Sequence, residues 1–370
     1  MTTTTPADTL AVTPATTSTD AAATTPADDR RAAGRLPLPP ARGELSAALL
    51  RFLRAEPGAP SAVQLRALAA RAAGAADVLR DEDVQLSLAL LYELHYRGVE
   101  GVDDRLEWDL GLLGVREELE GPFEAAVREL AEVPDVPAQD VAETLFAMAA
   151  DDDGPGVSAF LQRRASLEQV REFLVHRSIY HLKEADPHTW AVPRLAGGPK
   201  AALVEVQSDE YGGGRPERMH SALFARTMRA AGLDDTYGRY LPSVPASTLV
   251  GTNAMSLFGL HRRLRGAIVG HLAVFEMTSS LPNKAYGNGF RRLGFDADAT
   301  WFFDEHVQAD AVHEQIAGRD LAGALARREP GLTADVLLGA AACLALDAIA
   351  GEHQLACWEQ GRSSLLEPLP

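Results

Sequence analysis

The sequence predicts an all-α protein, and three observations carry the prediction. Hydrophobic residues make up 46% of the chain and aromatic ones only 6%, with abundant alanine and leucine, a balance that favours helices packed on helices. Apolar residues recur at three- and four-residue spacing over most of the length, the period of a helix with one buried face. No alternating strand pattern of useful length interrupts them.

Taken in order, residues 1–42 are mainly Thr, Ala, Pro and Asp with few large apolar side chains, too little to offset the entropy of ordering, so a disordered tail is expected there. It has neither the charged and apolar regions of a secretory signal nor the arginines of a transit peptide. From Glu44 the pattern turns helical. Segments 46–53, 62–79 and 84–96 are separated by PGAP and by the acidic DED at 81–83. A further stretch, 106–130, carries glycines that suggest a break near 111–114, and 138–150 follows. DDDGPG then closes an N-terminal helical region, 43–155.

The second region, 156–370, opens with Ser166 three residues before Gln169, a capping box for a helix running to about 184. The stretch 185–200 is a loop by its Pro and Gly content. Residues 201–228 read as a helix interrupted by Gly212, Gly213 and Gly214, 248–279 as one long helix, and 281–296 as a connection rich in Pro, Asn and Gly. Helices over 304–316 and 333–359 complete the chain.

A net charge of −17 argues against nucleic acid and against an anionic membrane surface, since both need a basic face. The longest apolar run, 336–346, is bracketed by Asp335 and Asp347 and is too short for a membrane span. Cys343 and Cys357 fit neither a zinc ribbon nor a disulfide scaffold, and a reducing cytoplasm is the natural setting.

The chemistry concentrates in Asp304–Ile316. His306, Asp310 and His313 fall at i, i+4 and i+7, within roughly 60° of one face of a helix. Val307, Val312 and Ile316 between them are expected to seat that helix in a core, leaving the polar stripe partly buried, where a metal ion would offset the cost. Imidazole with carboxylate suits iron, manganese or zinc. Glu276, near the end of an otherwise apolar helix, is a further candidate. So are Glu210 and His220, which a regular helix would leave some 80° out of alignment. Three consecutive glycines between them cost roughly 1 kcal/mol each in a helix, so the break has a reason, and bringing the two side chains to one centre is one. His176 and His181 read as structural or surface residues. His188, His261, His271 and His353 have no partner at ligand spacing.

Glu210, His220, Glu276 and then His306-x3-Asp310-x2-His313 resemble the ligand pattern of haem-oxygenase-like di-iron oxidases, and the DEYGGG segment resembles the subgroup of iron-containing redox enzymes. The resemblance covers about 160–360. It implies a haem-oxygenase-like helical bundle with an extra N-terminal region, and two Fe(II) ions that activate O2 as co-substrate. It also implies a metal-ligand role for Glu210, His220, Glu276, His306, Asp310 and His313, with Glu184 similar in position to an additional carboxylate. A small-molecule substrate follows, an amino acid or amine being favoured, with N-oxygenation, desaturation, cyclisation or C–C cleavage as outcomes and an external electron donor. Arg177, Arg262 and Arg265 could in principle bind a carboxylate. Since a region like 43–155 serves dimerisation or packing in some relatives, a homodimer is one expectation. The alternatives are haem oxygenase proper, which would leave Asp310 and the second histidine without purpose, and a metal-free helical binding protein.

Overall fold

The computed structural model describes residues 34–369, the side chains of 309–311 excepted. Among the described residues the fold is all-α, with a single isolated bridge between Leu36 and Val99. The first region forms α1 (Glu44–Leu53), α2 (Ala62–Ala72), α3 (Glu82–Glu93), α4 (Leu110–Leu130) and α5 (Val141–Ala150). After the break at 151–156 come α6 (Val157–Arg163), α7 (Leu167–His181), α8 (Asp186–Thr189), α9 (Gly197–Glu210) and α10 (His220–Ala230). Then follow α11 (Ala246–Leu260), α12 (Arg265–Met277), α13 (Ser280–Arg292), α14 (Ala297–Gln315), α15 (Ala324–Arg328) and α16 (Thr333–Glu359), with a π-helical segment, Ile316–Gly323, joining α14 to α15.

Local chemistry sets several boundaries. Ser166 and Gln169 form the expected capping box at the start of α7, and Asp296 caps α14 by accepting from the amide of Ala299 at 3.0 Å. The long helix expected over 248–279 is instead two, α11 and α12. His261 is extended and bonds Glu120 at 2.9 Å, while Arg194 donates to the carbonyls of Gly259 and Leu260, groups a helix end leaves unpaired.

Three further expectations are corrected. Residues 34–42, assigned by composition to the disordered tail, are packed: Leu36 is buried, and Arg42 pairs with Glu82 at 2.7 Å. Helix α4 runs through Gly111 and Gly114 without a break, because a side chain at 111 would collide with Ala62 of α2; that glycine serves close packing. The stretch 281–296 is largely α13. Pro282 sits in its first turn, where no amide is missed, and Gly289 lies against the backbone of Leu161.

The helices on both sides of 151–156 share one hydrophobic core, from Leu49, Leu86 and Phe123 to Leu249, Phe258 and Leu337. Buried polar contacts cross the same boundary: Asn253 donates to the Gln85 carbonyl at 2.9 Å, and Lys183 meets Glu93 at 3.1 Å. Gly318 of the π-helical segment lies against Phe146 of α5 and Met277 of α12, and Gly323 lies against Ala142. Pro330–Glu359 is apolar and long enough to cross a membrane, but Val336, Leu337, Leu338 and Leu346 are buried in this core. Here α12 and α16 cross backbone to backbone. A Cβ on Gly270 would lie 1.7 Å from the Val336 oxygen, and one on Gly339 would lie 1.8 Å from that of Ala267.

Candidate metal centre

Two groups of ligand-type side chains meet among α7, α9, α10, α12 and α14. Glu184, Glu210, His220 and His306 each offer an atom within 4.8 Å of the others, and Glu210, Glu276 and His313 do the same. All six residues are buried. Glu210 belongs to both groups.

Each side chain is delivered by a local device. Glu184 sits in the turn after α7, beside Ala185, whose φ of 73° is unusual for a residue with a side chain. Gln207 donates to the Ala185 carbonyl at 3.0 Å and holds that turn. Glu210 and His220 are joined by Gly212, Gly213 and Gly214, all in the left-handed region at φ of 68°, 60° and 78°. A Cβ on Gly212 would lie 2.6 Å from the backbone of Arg218 and Met219, so this reversal needs glycine. It sets Nδ1 of His220 3.0 Å from Oε2 of Glu210. His306 and His313, seven residues apart, lie about 10 Å apart along the α14 axis, and each serves a different group.

Hydrogen bonds aim the rings. His306 donates from Nδ1 to the Phe302 carbonyl at 2.8 Å, so Nε2 faces Oε1 of Glu184 at 3.6 Å. His313 donates from Nε2 to Asp209 at 3.1 Å, so Nδ1 faces Oε2 of Glu276 at 3.4 Å. Such outer partners fix the tautomer of a metal-ligating histidine. Nδ1 of His220, Nδ1 of His313 and Oε2 of Glu184 are buried with no hydrogen bond. The two histidine nitrogens lie 3.0 and 3.4 Å from carboxylate oxygens without the alignment of a hydrogen bond, and each orphaned atom costs about 1–3 kcal/mol that a shared cation would offset. A void of about 10 Å³ touches Glu184, Glu210, Glu276 and His306. The residues therefore fit a metal on donor chemistry, orphaned atoms and space.

Electrostatics agree. Burial pushes the Glu276 carboxyl up, with Glu210 adding to the rise. Burial opposes the charge of Glu184 as well, but His181, bonded to it at 2.6 Å, and His306 outweigh burial and hold that carboxyl low. Burial disfavours the His313 imidazolium, yet Glu276 and Asp209 win and hold it up to about 9.

Of the residues expected from sequence, Glu184, Glu210, His220, Glu276, His306 and His313 come together. Asp310 lies on α14, but its side chain is outside the described residues. The seat of α14 is corrected in part: Val312 is exposed and Val307 half-buried, Ile316 just beyond the helix packs against the core as expected, and Phe302 and Phe303 are the buried residues of α14 itself. His181, read as structural or surface, is bonded to Glu184, and its i,i+3 spacing to Glu184 was the available signal. Asp209 was missed altogether. His188 and His271, unpartnered in sequence, meet at 3.2 Å. A cavity of about 590 Å³ opens beside the cluster, walled by His181, Glu184, Phe302 and His306. Arg177 lines it too, whereas Arg262 is exposed and Arg265 pairs with Glu329.

The sequence profile of a family described as iron-containing redox enzyme matches residues 171–348, a stretch that contains the whole cluster. Over this stretch the chain is similar to the iron-containing redox enzymes. The nitrosourea synthase of Streptomyces achromogenes subsp. streptozoticus, of the same family, is 30% identical over 150 residues, which is 40% of this chain. The match spans 31% of that relative's length. An iron-containing redox enzyme with a haem-oxygenase-like all-α fold is what the resemblance implied, and the buried His/Glu cluster is compatible with its metal site.

Proposed function

We propose that this protein is a non-haem di-iron oxidase that uses O2 to oxidise a small amine or amino acid. The observation that carries the reading is Glu210, a carboxylate common to two buried ligand groups, which supports a shared role between two cations. Glu184, His220 and His306 would hold one ion, and Glu276 and His313 the other, with Asp310 as a further ligand by its place on α14. Held by these residues, ferrous iron would supply the electrons for O2-dependent oxidation of a C–H or N–H bond, with an external donor to restore them.

The chain's own part is orientation and exclusion. Phe302 fixes the His306 ring, Asp209 fixes that of His313, and His181 holds Glu184 ionised. Phe224, Phe275 and Phe302 wall the adjoining cavity with apolar surface that keeps water from the reacting end of the substrate. The relative's name denotes a nitrogen-bearing small molecule, which favours an amine here.

The test is metal analysis of full-length protein reconstituted anaerobically with Fe(II). About two irons per chain, with a transient visible band on adding O2, supports the reading. A His313→Ala variant that keeps its full iron content overturns it.

A further inference from the structure

The cavity beside the cluster has a charged pair on its wall. Arg177 projects from α7 one turn before His181, about 6 Å along the axis, and its Nη1 stands 3.3 Å from Oδ1 of Asp347 on α16. The contact is loose for a guanidinium and a carboxylate. Among the described residues, Arg177 is the one lysine or arginine lining this cavity. Its side chain keeps 27% of its surface open and that of Asp347 keeps 61%, so neither charge is used up by the other. Asp152 and Asp153 line the same cavity near Asp347 and add negative potential on its side of the pair.

We infer that Arg177 and Asp347 form the head-group site for a free α-amino acid, the guanidinium taking the carboxylate and Asp347 taking the ammonium. Opposite charges 3.3 Å apart match a molecule that carries both on neighbouring atoms. A fatty acid would satisfy only Arg177 and would sit beside unneutralised aspartates; a simple amine would satisfy only Asp347. From this anchor the amino-acid side chain runs along Phe173 and Tyr286 to Phe302, His306 and Glu184, which line the same cavity. The inference rests on the oxidase reading only in placing the reacting end of the substrate at His306 and Glu184.

The test is calorimetric binding to full-length protein, metal-free and after reconstitution with Fe(II). The probes are L-norleucine, L-lysine and L-tyrosine, with hexanoate and pentylamine as matched molecules that each lack one charge. At least one amino acid is expected to bind at least about tenfold more tightly than either single-charge probe. Arg177→Gln and Asp347→Asn each remove that preference, while Arg177→Lys, which keeps the charge, retains part of it. Unchanged circular dichroism and thermal unfolding separate this loss from misfolding. Saturable binding by none of the three amino acids, equal binding of hexanoate, or a preference that survives Arg177→Gln overturns the inference. Because binding is read without metal, a protein that holds no iron yet loses norleucine on Arg177→Gln refutes the oxidase and keeps the head-group site.

Discussion

Nδ1 of His313 and Oε2 of Glu276 lie 3.4 Å apart, within reach of a hydrogen bond and turned out of line for one. Without a cation, the Glu276 carboxylate is a buried charge whose pKa burial has raised. Glu276→Gln, of the same shape and neutral, removes both that buried charge and its attraction for the His313 imidazolium, so its metal-free melting temperature is expected to stay close to that of the wild type. The wild type should gain stability on adding Fe(II) or Mn(II), about 2.7 kcal/mol at a hundredfold excess over Kd, and the variant should gain much less. Thermal unfolding of both proteins with and without metal checks this, and an equal metal response in the two contradicts it.

Asp209 presents 62% of its side chain to solvent, so its contribution to stability is small, yet it receives the Nε2 proton of His313. Asp209→Ala is expected to leave the fold intact and weaken metal binding about 10- to 100-fold, the usual range for removing an outer partner. Competition with a chromophoric chelator measures it. An unchanged affinity would show that the His313 ring is held by its other neighbours.

Backbone contact between α12 and α16 leaves no room for a methyl group. Gly270→Ala is expected to cost about 1–3 kcal/mol or more, as the helices must part to admit the new atom. Gly251→Ala, inside α11 where nothing lies within 4 Å of the added carbon, is expected to stabilise by up to about 1 kcal/mol. Urea denaturation of the pair separates a packing requirement from a general preference for glycine.

Buried neutral histidines set the acid limit. Burial, with His353 and Arg177 adding, holds His176 down to about 3, and burial holds His271 to about 4. Both lie below the ordinary 6.5, so protons favour the unfolded chain. Their contribution is complete above about pH 6.5 and is lost as pH falls from there towards 4. Each group removes at most about 1.4 kcal/mol per pH unit. Urea midpoints of metal-free protein should fall between pH 6.5 and 5, before most carboxylates titrate, and a flat profile there refutes the assignment.

The helix periodicity alone placed His306 and His313 on one face, because a ligand stripe on a regular helix is a repeat in sequence. Glu210 and His220 were legible only as an anomaly: the glycines signalled a break, while the φ values that close it belong to the folded chain. Asp209, His181 and Arg177 gain their roles from partners 104, 3 and 170 residues away, and only the middle one leaves a local trace. The glycines of α4 and α13 misled for the opposite reason. Gly111 and Gly289 usually mark ends, but here neighbouring chains approach so closely that tertiary contact overrides local preference.

The lean of Gly318 and Gly323 on Phe146 and Ala142 has a practical bearing on transplanting this catalyst. A graft cut to the family-matched stretch would carry both α14 histidines into a new host without the wall that steadies the far end of their helix. Loss of metal in such a chimaera would then report a missing buttress, and restoring α5 would be the repair to try before any ligand is redesigned.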